Sequence, residues 1–156
     1  MMNVTLSSSL TINSETFIRP YGRFTIYYYE AFEMTVPADG DYIIIMSNSS
    51  IVTCGLLYTE NFYSNSPTVN LVTIKCGVGG NSQYQFSYYI KSDIRYILVI
   101  TTRNAQITGN YTLLVSGFNR VNLRQINSSS IVSTTTTTSS KLILFIFFYE
   151  NYAIII

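Results

Sequence analysis

Histidine and tryptophan are both absent from the 156-residue chain. Without imidazole there is no usual general base, no proton shuttle near neutrality and none of the commonest metal ligand, so Ser-His and Cys-His dyads are excluded. Charge is scarce as well, at 11% of residues, where soluble domains carry about a quarter. Nine Lys and Arg against eight Asp and Glu leave a formal net charge of +1, with the basic residues scattered singly from Arg19 to Lys141. Nucleic-acid binding through a basic stripe is thereby excluded. The start, Met1-Met2-Asn3-Val4-Thr5-Leu6-Ser7-Ser8-Ser9, has neither a basic n-region nor an apolar h-region, so no secretory leader is legible there. Helical periodicity is lacking throughout the chain ahead of the C-terminal tail.

What is present is aromatic and hydroxylic. Fourteen Tyr and nine Phe make up the aromatic 15% of the chain, and Ser, Thr and Asn rather than charges keep the surface wet. A chain of this length accommodates one domain with a true core. From Tyr28 to Val36 one parity collects Tyr28, Glu30, Phe32, Met34 and Val36, and Pro37-Ala38-Asp39-Gly40 follows. That predicts a half-buried strand and a hairpin turn. The next run, Asp41 to Ser47, is apolar on both sides and predicts a central strand covered on both faces. Further strands are expected at Ile51 to Thr59, Leu71 to Ile74, Gln83 to Lys91, Arg95 to Thr102 and Asn110 to Ser116. Core candidates are Tyr84, Phe86, Tyr88 and Ile90, then Tyr96, Leu98 and Ile100, then Tyr111, Leu113 and Val115, with Lys91-Ser92-Asp93-Ile94 as a hairpin connection. The expected fold is all-β, an antiparallel, jelly-roll-like β-sandwich of about seven to nine strands.

The sandwich is assigned to residues 17–125, with 1–16 as an N-terminal extension and 126–141 as a Ser/Thr-rich stalk that cannot bury enough apolar surface to fold. Residues 142–156 form an apolar tail, in which Glu150 and Asn151 interrupt the hydrophobic run. Three readings of the tail compete: a lipid-anchor signal, a truncated transmembrane segment of an incomplete chain, and a chance apolar end. A membrane-related tail is the preferred one.

Cys54 falls within an expected strand and Cys76 in the Gly-rich turn Lys75-Cys76-Gly77-Val78-Gly79-Gly80, with no CxxC or His to suggest metal. A disulfide is the economical reading and two buried thiols the alternative. A disulfide would require an oxidising compartment. Four Asn-x-Ser/Thr sequons, at Asn3, Asn48, Asn110 and Asn127, tip the compartment outward as candidate glycosylation sites. The long connection from Glu60 to Asn70 sets Phe62 and Tyr63 among polar neighbours, which makes that pair the candidate ligand contact; the alternative is a loop that packs its own rings onto the sandwich edge. No catalytic residue is assigned, because Glu30 and Glu33 face opposite ways and Asp39, Asp41 and Asp93 belong to turns.

Phe32 to Val36 with Pro37, Gly40 and Tyr42, then Thr53 with Leu57-Tyr58, then Gly79-Gly80-Asn81, Tyr96-Ile97-Leu98-Val99-Ile100 and Gly109-Asn110-Tyr111-Thr112-Leu113 occur in a known order. In that order the chain resembles the bacterial pre-peptidase C-terminal domain and its eukaryotic extracellular relatives. The resemblance implies one β-sandwich and a non-catalytic accessory module of a secreted or surface protein, some members of the family binding matrix or cell-surface polymers. The family's acidic positions are here Val52 and Lys75-Cys76-Gly77, so a calcium site built from those carboxylates is not expected. The expected function is an extracellular or cell-surface recognition or adhesion module for polysaccharide or matrix protein, without cofactor, and with membrane contact through the tail. The alternative is a structural spacer with no ligand of its own.

Overall fold

A computed structural model describes residues 1–78 and 82–127. Gly79-Gly80-Asn81, the stalk beyond Asn127 and the apolar tail lie outside the described residues. Ten strands follow in chain order: β1 (Met2–Leu10), β2 (Glu15–Ile18), β3 (Ile26–Thr35), β4 (Gly40–Ser47), β5 (Thr53–Thr59), β6 (Leu71–Cys76), β7 (Tyr84–Ile90), β8 (Tyr96–Thr102), β9 (Gly109–Gly117) and β10 (Asn122–Ile126). They form two antiparallel sheets, one ordered β1-β9-β4-β7 and the other β10-β3-β8-β5-β6, with β2 also paired to β3. Apart from the β2–β3 and β5–β6 hairpins, successive strands alternate between the sheets, in the jelly-roll order, so the expected all-β sandwich is present. Among the described residues, no helix is long and apolar enough to cross a membrane.

Alternation explains the main core. Tyr42, Ile44 and Met46 of β4, Tyr111, Leu113 and Val115 of β9, and Leu98 and Ile100 of β8 are buried together between the sheets with Phe32 and Met34. Tyr84, Phe86 and Tyr88 pack against them from β7. The strands covered on both faces are β8, buried at every position, and its neighbour β5, because both lie under a second cluster on the outer side of their sheet. For β4 that expectation is corrected: Ile43 and Ile45 are only half-buried on the outer face of their sheet.

Both expected hairpins are corrected too. Strand β3 lies in one sheet and β4 in the other, as do β8 and β7, so Pro37-Ala38-Asp39 and Lys91 to Arg95 carry the chain across the sandwich. Each flanking strand has an apolar face, and folding one strand over the other buries both, whereas a flat hairpin would leave the two faces side by side. The two crossings are tied together where the Ser92 backbone N–H and hydroxyl donate to Asp39 Oδ1, each at 2.7 Å. These donors hold the Asp39 carboxyl below its ordinary range.

Residues 1–16 are likewise not an extension outside the sandwich. Strand β1 pairs with β9 from Met2↔Gly117 to Leu10↔Gly109, with Val4, Leu6 and Leu10 turned inward. The inward apolar series is broken at Ser8, which donates to Glu30 at 3.0 Å, and this polar interruption hides the strand from a hydrophobic pattern.

Burial shapes the tyrosine chemistry. The hydroxyls of Tyr29, Tyr58, Tyr84 and Tyr111 ionise well above the ordinary range, in each case chiefly because burial disfavours the phenolate. Since the folded values are raised, the stability these groups contribute is present below about pH 10 and is lost as pH climbs towards them. A titration followed at 295 nm should therefore show at least these four of the 14 tyrosines ionising only with alkaline unfolding. Smooth titration of every tyrosine near pH 10 with the fold intact would contradict the packing.

Candidate functional site

The free edge of β3 is shared by two short strands. Strand β10 pairs with Thr35 to Ala31 and β2 with Tyr29 to Ile26, which leaves Glu30 opposite neither. A cleft of about 420 Å³ opens at this gap, lined by Ser9, Thr11, Asn13, Ser14, Glu15, Tyr29, Glu30, Ala31, Gln125, Ile126 and Asn127. Its floor is polar because Glu30, on the parity of the main core, lies at the gap between β10 and β2. A carboxylate on that parity needs partners, and it has three. Tyr111 donates to Oε2 from β9, Ser8 to Oε1 from β1, and Gln125 Nε2 to Oε1 at 3.1 Å from β10. Glu30 thus ties both sheets together across the mouth of the cleft.

On the wall, the Tyr29 hydroxyl donates to Glu15 Oε2 at 2.6 Å. Burial pushes the Tyr29 phenol up, and the neighbouring carboxylate adds to the shift. The rim from Thr11 to Ser14 is a tight turn, in which the Thr11 N–H donates to Ser14 Oγ at 2.9 Å and the Ser14 N–H to Thr11 O at 3.1 Å. The cleft therefore combines two carboxylates with side-chain amides and hydroxyls on strand ends and a braced turn. Among the described residues, no group of three or more His, Cys, Asp or Glu could hold a metal ion.

Of the two readings of the aromatic loop, the packed one holds for Phe62 and not for Tyr63. Phe62 is 1% exposed and forms part of the outer cluster, with ring centroids 5.6 Å from Phe17, 5.1 Å from Tyr29 and 4.9 Å from Tyr58. It cannot touch a ligand, and its candidacy is corrected. Polar surroundings in sequence suggested exposure, but the loop is clamped down: the Tyr58 hydroxyl donates to Pro67 O at 2.9 Å, and Arg95 Nη1 to Asn61 Oδ1 at 3.0 Å. Tyr63 is 40% exposed. Phe62 reaches the candidate site only through Tyr29, whose ring it supports edge to face.

Cys54 and Cys76 form a disulfide between directly paired positions of β5 and β6. Arg19, which no sequence pattern singled out, is buried beside it and donates through Nη1 to Cys54 Sγ at 2.6 Å and to Thr102 O at 3.1 Å. The four sequon asparagines are exposed. Asn3 and Asn110 lie on the outer face of the four-stranded sheet, Asn48 just beyond the end of β4, and Asn127 on the cleft wall. No family model matches the chain, and no curated protein matches it.

Proposed function

We propose that the chain is a non-catalytic recognition module of the cell surface or extracellular space, and that it binds a neutral polysaccharide in the cleft at Glu30. The observation that carries this reading is the set of polar groups: two carboxylates, side-chain amides and hydroxyls converging on one cleft. Sugar hydroxyls both donate and accept, and are best held by planar acceptors and amides already fixed by neighbouring bonds. Glu30 is fixed in this way from three strands. A recognition role fits these carboxylates better than catalysis, since both oxygens of Glu30 already accept hydrogen bonds and Glu15 accepts one from Tyr29. The disulfide and the exposed sequons support an extracellular setting. The jelly-roll strand order, shared with lectin domains, and the resemblance to pre-peptidase C-terminal domains support a binding module.

On a glycan array the wild-type chain should bind neutral oligosaccharides, and Glu30→Gln and Gln125→Ala should each weaken binding by about 10-fold or more, the cost of one well-placed polar contact. A spacer would bind no glycan. Binding that ignores both substitutions would move the site elsewhere and sink this reading.

A further inference from the structure

The hairpin joining β2 to β3 ends in Arg19-Pro20-Tyr21-Gly22-Arg23-Phe24-Thr25, and it gathers several exposed apolar side chains at one tip. Phe24 is 101% exposed and Tyr21 85%, while the last strand pair below them, Ile18 and Ile26, is about half exposed at 52% and 50%. Apolar side chains this bare on a monomer surface mark a contact. Turn bonds set the tip, the Gly22 N–H donating to Arg19 O at 3.1 Å and the Thr25 N–H to Arg23 O at 2.6 Å.

Its base is anchored. The Arg19 guanidinium lies 4.6 Å over the Tyr27 ring and bonds to Cys54 Sγ and to the carbonyls of Thr102 and Arg103. The disulfide and the end of β8 thus anchor the base of the hairpin at Arg19.

Acidic side chains are kept away from it. Arg23, Lys75 and Arg103 are exposed at this end of the sandwich, where Ile18 meets Ile26 and Thr53 meets Thr102. Among the described residues, Asp39, Asp41, Asp93, Glu33 and Glu60 lie towards the opposite end, and Glu15 and Glu30 face the cleft between. A net charge near zero thus conceals an end whose described charged side chains are all basic. Val78, 68% exposed, adds apolar surface beside Lys75.

We propose that this end of the domain docks on an anionic phospholipid bilayer, with Tyr21 and Phe24 entering the headgroup region and Arg23, Lys75 and Arg103 facing lipid phosphates and carboxylates. Aromatic rings favour the interface between water and acyl chains, and each cation near an anionic leaflet strengthens binding about fivefold. The combination of bare rings on an anchored hairpin with cations around it suits a bilayer better than a folded partner, because a bilayer needs no matching pocket for each ring. This surface is separate from the cleft and does not depend on what the cleft binds.

The chain has no tryptophan, so a Phe24→Trp variant of the full chain carries a single reporter. With vesicles of four parts phosphatidylcholine to one part phosphatidylserine, its emission should shift to the blue and be quenched by lipids brominated on their acyl chains; phosphatidylcholine alone should give a weaker response. A Tyr21→Ser, Phe24→Ser double variant should cosediment at least about tenfold less, and Arg23→Gln with Lys75→Gln about 25-fold less, with the salt sensitivity largely lost. All four positions are exposed, so thermal midpoints should stay near wild type and separate docking from folding. Absence of a blue shift, cosedimentation undiminished in the double variant, or binding of heparin without binding of vesicles would each overturn the proposal.

Discussion

Phe62→Ala should lower the unfolding free energy by about 3–5 kcal/mol, the cost of emptying a buried aromatic site. The ring is enclosed by Phe17, Tyr29 and Tyr58, and the loop backbone around it is held by Arg95 and Tyr58, so neighbours can close the hole only by giving up those bonds. Because Tyr29 rests on Phe62 and donates to Glu15, saccharide binding in the cleft should weaken as well. Tyr63→Ala, one residue along, should change stability by no more than about 0.5 kcal/mol. Denaturant unfolding of the two variants distinguishes them. A Phe62→Ala cost as small as that of Tyr63→Ala would mean that the loop is not packed down and that both rings are exposed.

Loss of the disulfide is the other large effect. It joins residues 22 apart in sequence, and opening a loop of that span should cost about 3 kcal/mol on the chain-entropy account, or about 10 °C in Tm for a domain of this size. The Cys54→Ala, Cys76→Ala double variant is the fair comparison, because removal of one cysteine leaves a free thiol under the Arg19 guanidinium. Among the described residues strand β6 is the edge of its sheet and pairs only with β5, so hydrogen exchange should rise first along Leu71–Cys76. Peptide mapping without reductant should recover Cys54 and Cys76 joined. Both as free thiols in secreted material, or an unchanged Tm in the double variant, would remove the staple from the account.

The strands with strong alternation were legible in the sequence nearly to their ends. Tyr111, Leu113 and Val115, or Tyr96, Leu98 and Ile100, sit at period two between turn residues, and the structure buries each set as expected. The strands that were missed are edges. Three residues of β1 are consecutive serines, and β2 and β10 are short and partly exposed, so a hydrophobic pattern has little to register. Topology was harder for a different reason. A short turn such as Lys91-Ser92-Asp93-Ile94 fits a flat hairpin and a crossing between sheets alike, and the choice rests on long-range burial of Tyr88 against Tyr96, whose rings lie 6.3 Å apart across the core.

The cleft shows the same division. Glu30 carried its own signal, a carboxylate on the apolar parity of Tyr28, Phe32 and Met34, which has to find hydrogen-bond partners. Those partners, Ser8, Tyr111 and Gln125, come from three strands scattered over the whole described chain, and no local pattern could have joined them. Phe62 misled for the mirror reason: its neighbours in sequence are polar and its neighbours in space are rings.

The central claim, that the gap in the edge of β3 is a saccharide site, is tested most directly by amide chemical shifts of the isotopically labelled chain titrated with the oligosaccharide that binds best on the array. The account predicts saturable shifts confined to the Thr11 to Glu15 turn, Tyr29 to Ala31 and Gln125 to Asn127, and their loss in Glu30→Gln. Shifts centred on Tyr63, on the outer face of the four-stranded sheet, or nowhere at saturating sugar would contradict it.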